Sequence, residues 1–341
     1  MGNMNETSSF SSKNSTIVEY SPDKDEYMKF HSEEVEEVKK YMDGIKQIEE
    51  NELEIKDNSL GKGRSGKVWE AIYQNLNVAV KNFAEIDEMM QEARNEMKIM
   101  QRLNHQGIVK FHGGIITTKK IQIVMQKMDG TLFDLLTKGG LDLYKRISYV
   151  RQTCDALRYL HKHRVLHGDY KTENVLYCQK SDSVKISDFG FSQIIPPNLD
   201  TIHHTKGSLF YLAPEIFKTK KASFASDVYS FGISLAVHIT QDSPYEKQFI
   251  NEYDFLDLVC APTNLRPTLP FRDRDCPPSL RSLCESCWNT DPSKRPSFEE
   301  ISIQLDCILY DCILLQSPIE TKIDPPLTEI PSPSSLDLSA F

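Results

Sequence analysis

The chain has 341 residues, 39% of them hydrophobic and 26% charged, which fits a soluble globular protein with polar extensions and room for a sizeable core. Its net charge is −9, and residues 1–50 hold 12 Asp or Glu against 6 Lys or Arg, so much of the excess sits at the start and the middle is close to neutral. That balance argues against nucleic acid or an anionic membrane surface as the main partner, and no apolar run reaches the ~18 residues a membrane helix needs.

Residues 1–32 are rich in Ser, Asn and Asp, show no periodicity, and are expected to be a disordered acidic segment. They lack the apolar core of a secretion signal. Gly2 follows Met1, but Glu6 stands where an acylation motif wants Ser or Thr, and no polybasic patch supplies a second membrane signal. The eight cysteines are scattered, as expected of reduced thiols in a cytoplasmic protein. Over 33–51, Val35, Val38, Met42 and Ile45 recur at helical spacing and predict an amphipathic helix, packed on the adjacent domain or else forming a short coiled coil or an inhibitory segment. At the other end, residues 317–341 carry five prolines among serines and predict a disordered tail.

From Leu60 the chain reads Leu-Gly61-Lys-Gly63-Arg-Ser-Gly66-Lys-Val68, three glycines whose backbone N–H groups can approach phosphate oxygens. A Walker A loop would need Ser or Thr where Val68 stands, and a dinucleotide fold would need a helix where Val68–Tyr73 reads as strand. A glycine hairpin with no ligand fits the loop alone. Val78-Ala79-Val80-Lys81 then reads as a buried strand ending in a lysine, and Ile86–Leu103 as a helix with Met89, Ala93, Met97 and Met100 on one face. Ile121–Met125 is a further strand. Leu143, Ile147, Val150, Cys154, Leu157 and Leu160 make the stripe of a long core helix.

That helix leads into His167-Gly168-Asp169-Tyr170-Lys171-Thr172-Glu173-Asn174, with Asp188-Phe189-Gly190 following. This is equipment for moving a phosphoryl group from Mg-ATP to a hydroxyl: Asp169 to accept the proton, Lys171 to neutralise the phosphate, Asn174 and Asp188 to hold Mg²⁺. With the glycine strand, Val-Ala-Val-Lys81, Ala213-Pro214-Glu215, Asp227-Val-Tyr-Ser-Phe-Gly232 and Cys287-Trp288…Arg295-Pro296, these segments resemble eukaryotic protein kinases, in that family's order across residues 52–308. Asp-x-Lys-x-x-Asn with the closing Cys-Trp…Arg-Pro resembles the tyrosine-kinase-like group of serine/threonine kinases.

The resemblance implies an α+β, two-lobed fold over 52–316: a small antiparallel β lobe with one main helix (52–128), a larger helical lobe (129–316), and ATP between them. It implies an enzyme that phosphorylates Ser or Thr of protein substrates in intracellular signalling. By the same resemblance Lys81 contacts the α- and β-phosphates and is paired by Glu96, although Glu88 and Glu92 show how common helix glutamates are here. Leu60, Gly61, Gly63, Gly66, Val68, Ala79 and Leu176 enclose the nucleotide, Met125 is the gatekeeper, and Gln126 and Met128 belong to the hinge. His167 packs with Phe189, Ser208 touches Asp169 and Lys171, Asp227 anchors the catalytic-loop backbone, and Arg295 pairs with Glu215. Gly168 departs from the family, where an arginine usually receives a phosphorylated loop, so activity is expected not to require that phosphorylation. Thr201, Thr205 and Tyr211 remain modifiable. His203-His204 reads as polar loop, and Cys284-x-x-Cys287 as half a zinc site without a second pair.

A pseudokinase scaffold is the alternative from another class, and Lys81, Asp169, Asn174 and Asp188 argue against it. A dual-specificity or tyrosine-directed kinase is the second, opposed by Lys171 and Ser208.

Overall fold

The computed structural model of the chain describes residues 44–63, 66–83, 87–117, 120–245, 252–261 and 265–316. The expected disordered ends, and residues 33–43 of the expected helix, lie outside them. The chain divides into two compact units, Met1–Gln101 with Phe111–Met125, and Arg102–Lys110 with Gln126–Phe341.

The first unit is an antiparallel sheet of β1 (Leu53–Gly63), β2 (Gly66–Tyr73), β3 (Leu76–Phe83), β4 (Phe111–Ile116) and β5 (Ile121–Gln126), in the order β1-β2-β3-β5-β4. Gln74 and Asn75 both take positive φ, the two-residue turn whose twist suits the β2–β3 hairpin. Ala71, Tyr73, Val78, Val80, Ile115 and Val124 form its core with Ile48. The one helix of this unit among the described residues, α1 (Asp87–Met100), buries Ala93, Met97 and Met100 at helical spacing.

The expected helix over 33–51 is not seen where its end is described. Gly44 takes φ +82°, Ile48 N–H donates to Gly114 O at 3.0 Å, and Gly114 N–H donates to Lys46 O at 2.9 Å, before a 3₁₀ turn at Glu50–Glu52. The backbone of β4 supplies partners that a helix would have supplied internally, and Ile45 and Ile48 become buried as an extended segment. Residues 102–110, expected in the small lobe, belong to the second unit. There Val109 N–H donates to Ile186 O at 3.0 Å and Ile186 N–H to Gly107 O at 2.8 Å.

The second unit is mainly helical: α2 (Leu132–Thr137), α3 (Leu143–Lys162), α4 (Pro214–Thr219), α5 (Phe224–Thr240), α6 (Glu252–Cys260), α7 (Pro278–Cys287) and α8 (Phe298–Gln316). Short strands join them: β6 (Gly130–Thr131), β7 (Val165–Leu166), β8 (Val175–Cys178), β9 (Ser183–Ile186), β10 (Gln193–Ile194), β11 (Ile202–His203) and β12 (Lys221–Ala222). Helix α3 starts where the Asp142 carboxylate accepts Lys145 N–H at 2.7 Å, and it buries Ile147, Val150, Cys154, Leu157 and Leu160. Helix α5 is buried on all sides from Ser226 to Ile239, so it is the axis of this unit. The α+β class and the contrast between a small antiparallel sheet and a larger helical lobe are as the resemblance implied.

Candidate active site

The expected site residues fall into two groups, one in each unit. In the first, the glycine strands pair Gly61 with Val68 and Gly63 with Gly66. Gly66 is fixed by packing: a Cβ there would lie 1.7 Å from Asn82 O on β3. Gly61 and Gly63 face open space, so a ligand can approach their backbone. Two strands on, Lys81 leaves β3 buried at 7% exposure, with its ammonium 2.9 Å and 3.1 Å from the Glu96 carboxylate oxygens. Glu96, 1% exposed on α1, is the glutamate that meets Lys81, although Glu92 is buried there too, so the pair is mutually dependent: neither charge is solvated by bulk water. Ala79 and Met125 are buried in the same unit, while Leu60 is 39% exposed.

In the second unit the loop after β7 gathers the polar groups around Asp169. Ser208 N–H donates to Asp169 Oδ1 at 2.6 Å, and Asn174 Nδ2 donates to Asp169 Oδ2 at 3.1 Å and to its carbonyl at 2.8 Å. Lys171 Nζ donates to Ser208 Oγ at 2.6 Å and stands 3.9 Å from Asp169 Oδ2. Asn174 and Asp188 are brought together by the β8–β9 hairpin, which pairs Val175 with Ile186; Ser187 N–H and Oγ then both donate to Asn174 O at 2.8 Å. Asp188 sits at φ +59°, a left-handed conformation that a non-glycine residue keeps only where its surroundings hold it. Asn174 spends its amide N–H on Asp169, so its amide oxygen is the group left to face a cation. Gln126 N–H donates to Lys110 O at 2.9 Å, Met128 is buried, and Leu176 lies on β8 opposite Thr131.

The loop is held from below by α5. Asp227 Oδ2 accepts His167 N–H at 2.8 Å, its Oδ1 accepts Gly168 N–H at 3.0 Å, and the His161 imidazole lies 2.9 Å away. Burial alone would push this carboxyl up; the hydrogen bond and charge of His161 and the loop N–H outweigh it and hold the carboxyl below its ordinary range. Asp227→Asn turns a donor toward one of these N–H groups and should cost about 2 to 3 kcal/mol of stability with a matching loss of turnover. Denaturant midpoints measure it, and an unchanged midpoint refutes the clamp. His167 and Phe189 pack with ring centroids 5.2 Å apart, both fully buried.

Further on, Arg295 donates to Glu215 Oε1 at 2.7 Å and Oε2 at 2.8 Å. Tyr211 is buried and donates to Glu173 at 3.1 Å, so it is not a surface site for modification, unlike the exposed Thr201 and Thr205. Cys284 and Cys287 are buried thiols pushed up by burial, and no metal-holding group of three or more His, Cys, Asp or Glu exists among the described residues. One expectation fails outright. His204 is not part of a polar loop: it is 2% exposed, with its imidazole Nε2 3.2 Å from Gly168 O and its Nδ1 3.1 Å from Gln193 Nε2. Two adjacent histidines in a polar stretch gave no sign of which one turns inward; the missing side chain at Gly168 was the available clue.

A family model described as the protein kinase domain matches residues 55–304. Dual specificity protein kinase shkD of Dictyostelium discoideum is 34% identical over 264 residues, 75% of this chain and 34% of that protein. Stress-activated protein kinase alpha of the same organism is 31% identical over 272 residues, 76% of this chain and 42% of that protein. Serine/threonine-protein kinase VIK of Arabidopsis thaliana is 30% identical over 276 residues, 77% of this chain and 62% of that protein. The chain thus spans well under half the length of the first two of these relatives. With the match running through the glycine strands, the loop around Asp169 and the Glu215–Arg295 pair, this chain belongs to the protein kinase family and resembles its tyrosine-kinase-like group.

Proposed function

We propose that the chain transfers the γ-phosphoryl group of ATP to Ser and Thr hydroxyls of protein substrates. The observation that carries this is the Asp169 carboxylate, fixed by Ser208 N–H at 2.6 Å and Asn174 at 3.1 Å, with the Lys171 ammonium bound to the Ser208 hydroxyl beside it. A carboxylate so held keeps a lone pair for the substrate hydroxyl. As the hydroxyl oxygen bonds to the γ-phosphorus, its proton passes to Asp169, the bond to the β–γ bridging oxygen breaks, and ADP leaves. Lys171 neutralises charge on the transferring group. In the other unit Lys81, aimed by Glu96, serves the nucleotide phosphates, and the open Gly61–Gly63 backbone offers them N–H donors.

Kinases of this family use ATP with a divalent metal. The hard-oxygen set here, Asn174 Oδ1 and the Asp188 carboxylate, suits Mg²⁺, which takes few protein ligands and completes its shell with phosphates and water. Held there, Mg²⁺ would neutralise charge on the phosphate oxygens. Leu60, Val68, Ala79, Met125, Gln126, Met128 and Leu176 are assigned to the nucleotide by resemblance. All eight cysteines are free thiols and no described helix is long and apolar enough to cross a membrane; the thiols support the cytoplasm as the working compartment.

Preference for Ser and Thr rests on the Lys171–Ser208 contact and on the likeness to VIK, a serine/threonine-protein kinase; the likeness to shkD, a dual specificity protein kinase, favours a second reading that includes Tyr. Labelled-ATP transfer by the full chain with Mg²⁺, followed by phosphoamino-acid analysis, decides between them. The expected result is phosphoserine and phosphothreonine that vanish in Asp169→Asn. Phosphotyrosine beside them moves the assignment to dual specificity, and no transfer with ATP bound makes the chain a scaffold.

A further inference from the structure

We propose that His204 is a positioning residue for this transfer: its imidazole, seated in the room that Gly168 leaves empty, fastens the segment carrying Ser208 to the loop carrying Asp169. The inference rests on the kinase reading above. It begins with a volume. Gly168 takes φ +78°, and a Cβ on it would lie 2.8 Å from His204 Cε1 and 2.8 Å from Phe191 O. The imidazole therefore occupies the space that a side chain at 168 would need.

The contact is directional as well as steric. With Nε2 protonated, its N–H donates to Gly168 O at 3.2 Å, the tautomer that also lets Nδ1 accept from Gln193 Nε2 at 3.1 Å. That carbonyl belongs to the peptide joining Gly168 to Asp169, and Gly168 N–H is already bound to Asp227. Gly168 is thus gripped at its N–H by α5 and at its C=O by His204. His204 is itself anchored through its N–H to Lys220 O at 2.9 Å, beside the β11–β12 pairing of His203 with Lys221.

Four residues further on, Ser208 N–H holds Asp169 Oδ1 and the Ser208 hydroxyl receives Lys171. One segment therefore fixes Asp169 twice, at its backbone through His204 and at its carboxylate through Ser208. The first contact is a hydrogen bond to a backbone carbonyl, so no phosphoryl charge is needed to form it; burial also holds the His204 pKa below its ordinary value.

The test is steady-state kinetics of the full chain with His204→Ala and His204→Gln, with thermal unfolding followed in parallel. His204→Ala is expected to lower kcat about tenfold to a hundredfold while KM for ATP moves less than about threefold, because misplacing Asp169 acts on the transition state. In His204→Gln the side-chain amide N–H can reach Gly168 O and should restore most of the loss. Phosphatase treatment of the wild type should change nothing. Three results overturn the proposal: His204→Ala with kcat within about twofold of wild type, a loss in kcat and ATP affinity together that glutamine does not restore, or collapse of the wild type after phosphatase treatment. A wild type that binds ATP and transfers nothing sinks the kinase reading and this inference with it; an active wild type indifferent to His204 sinks the inference alone.

Discussion

Asp169→Asn is expected to lower kcat about a thousandfold while leaving KM for ATP within a few-fold of wild type. The amide keeps the size of the carboxylate but cannot accept the hydroxyl proton. It also turns an N–H either toward Ser208 N–H, now 2.6 Å from Oδ1, or toward the Asn174 amide, now 3.1 Å from Oδ2. One of those contacts becomes donor against donor, so orientation is lost with basicity. Asp169 is not among the residues assigned to the nucleotide or to Lys81, which Glu96 holds, so ATP binding should survive. Single-turnover transfer beside equilibrium ATP binding separates the two. Retention of more than a tenth of wild-type kcat would remove Asp169 from the role of base.

Arg295→Met is expected to destabilise the second unit by about 3 to 5 kcal/mol, a large share of the roughly 5 to 15 kcal/mol that holds a domain folded. The guanidinium side chain is fully buried, and four of its five N–H groups are bonded: two to Glu215, one to Ala225 O at 2.8 Å and one to Asn289 O at 2.8 Å. Methionine fills most of the volume but leaves the Glu215 carboxylate with only Ser226 Oγ, at 3.1 Å, as a hydrogen-bond partner among the described residues. The effect should therefore be larger in the single variant than in Glu215→Leu with Arg295→Met, where no charge is stranded. Urea midpoints of the three chains measure this. A single variant as stable as wild type, or a double variant that is worse, would mean the pair is solvated and its burial counts for little.

How much was legible in advance followed chain distance. Asp169, Lys171 and Asn174 lie within one loop, and a strand hairpin returns the chain to Asp188, so a local reading brings these groups together. Glu96 could be chosen over its neighbouring glutamates only through the resemblance; on α1 it is the residue that faces Lys81. The nucleotide strands were read from β-rich residues after the glycines, and the hairpin formed as expected, but the reason for Gly66 was different from that of Gly61 and Gly63. It is the approach of Asn82 O, a partner sixteen residues away, that excludes a side chain there.

By itself the sequence determined the class of fold, the order of its motifs and the identity of the groups around Asp169, because these depend on residue type, periodicity and short loops. Tertiary structure alone decided the rest. Ile45 and Ile48 satisfy a helical stripe and an extended segment equally well, and the free backbone of β4 settled which was formed. His204 looks like its neighbour His203 until Gly168, Gln193 and Lys220, drawn from separate stretches of the chain, close around it. Periodicity carries no record of a cavity left by a glycine thirty-six residues away; only packing makes that vacancy a binding place for an imidazole.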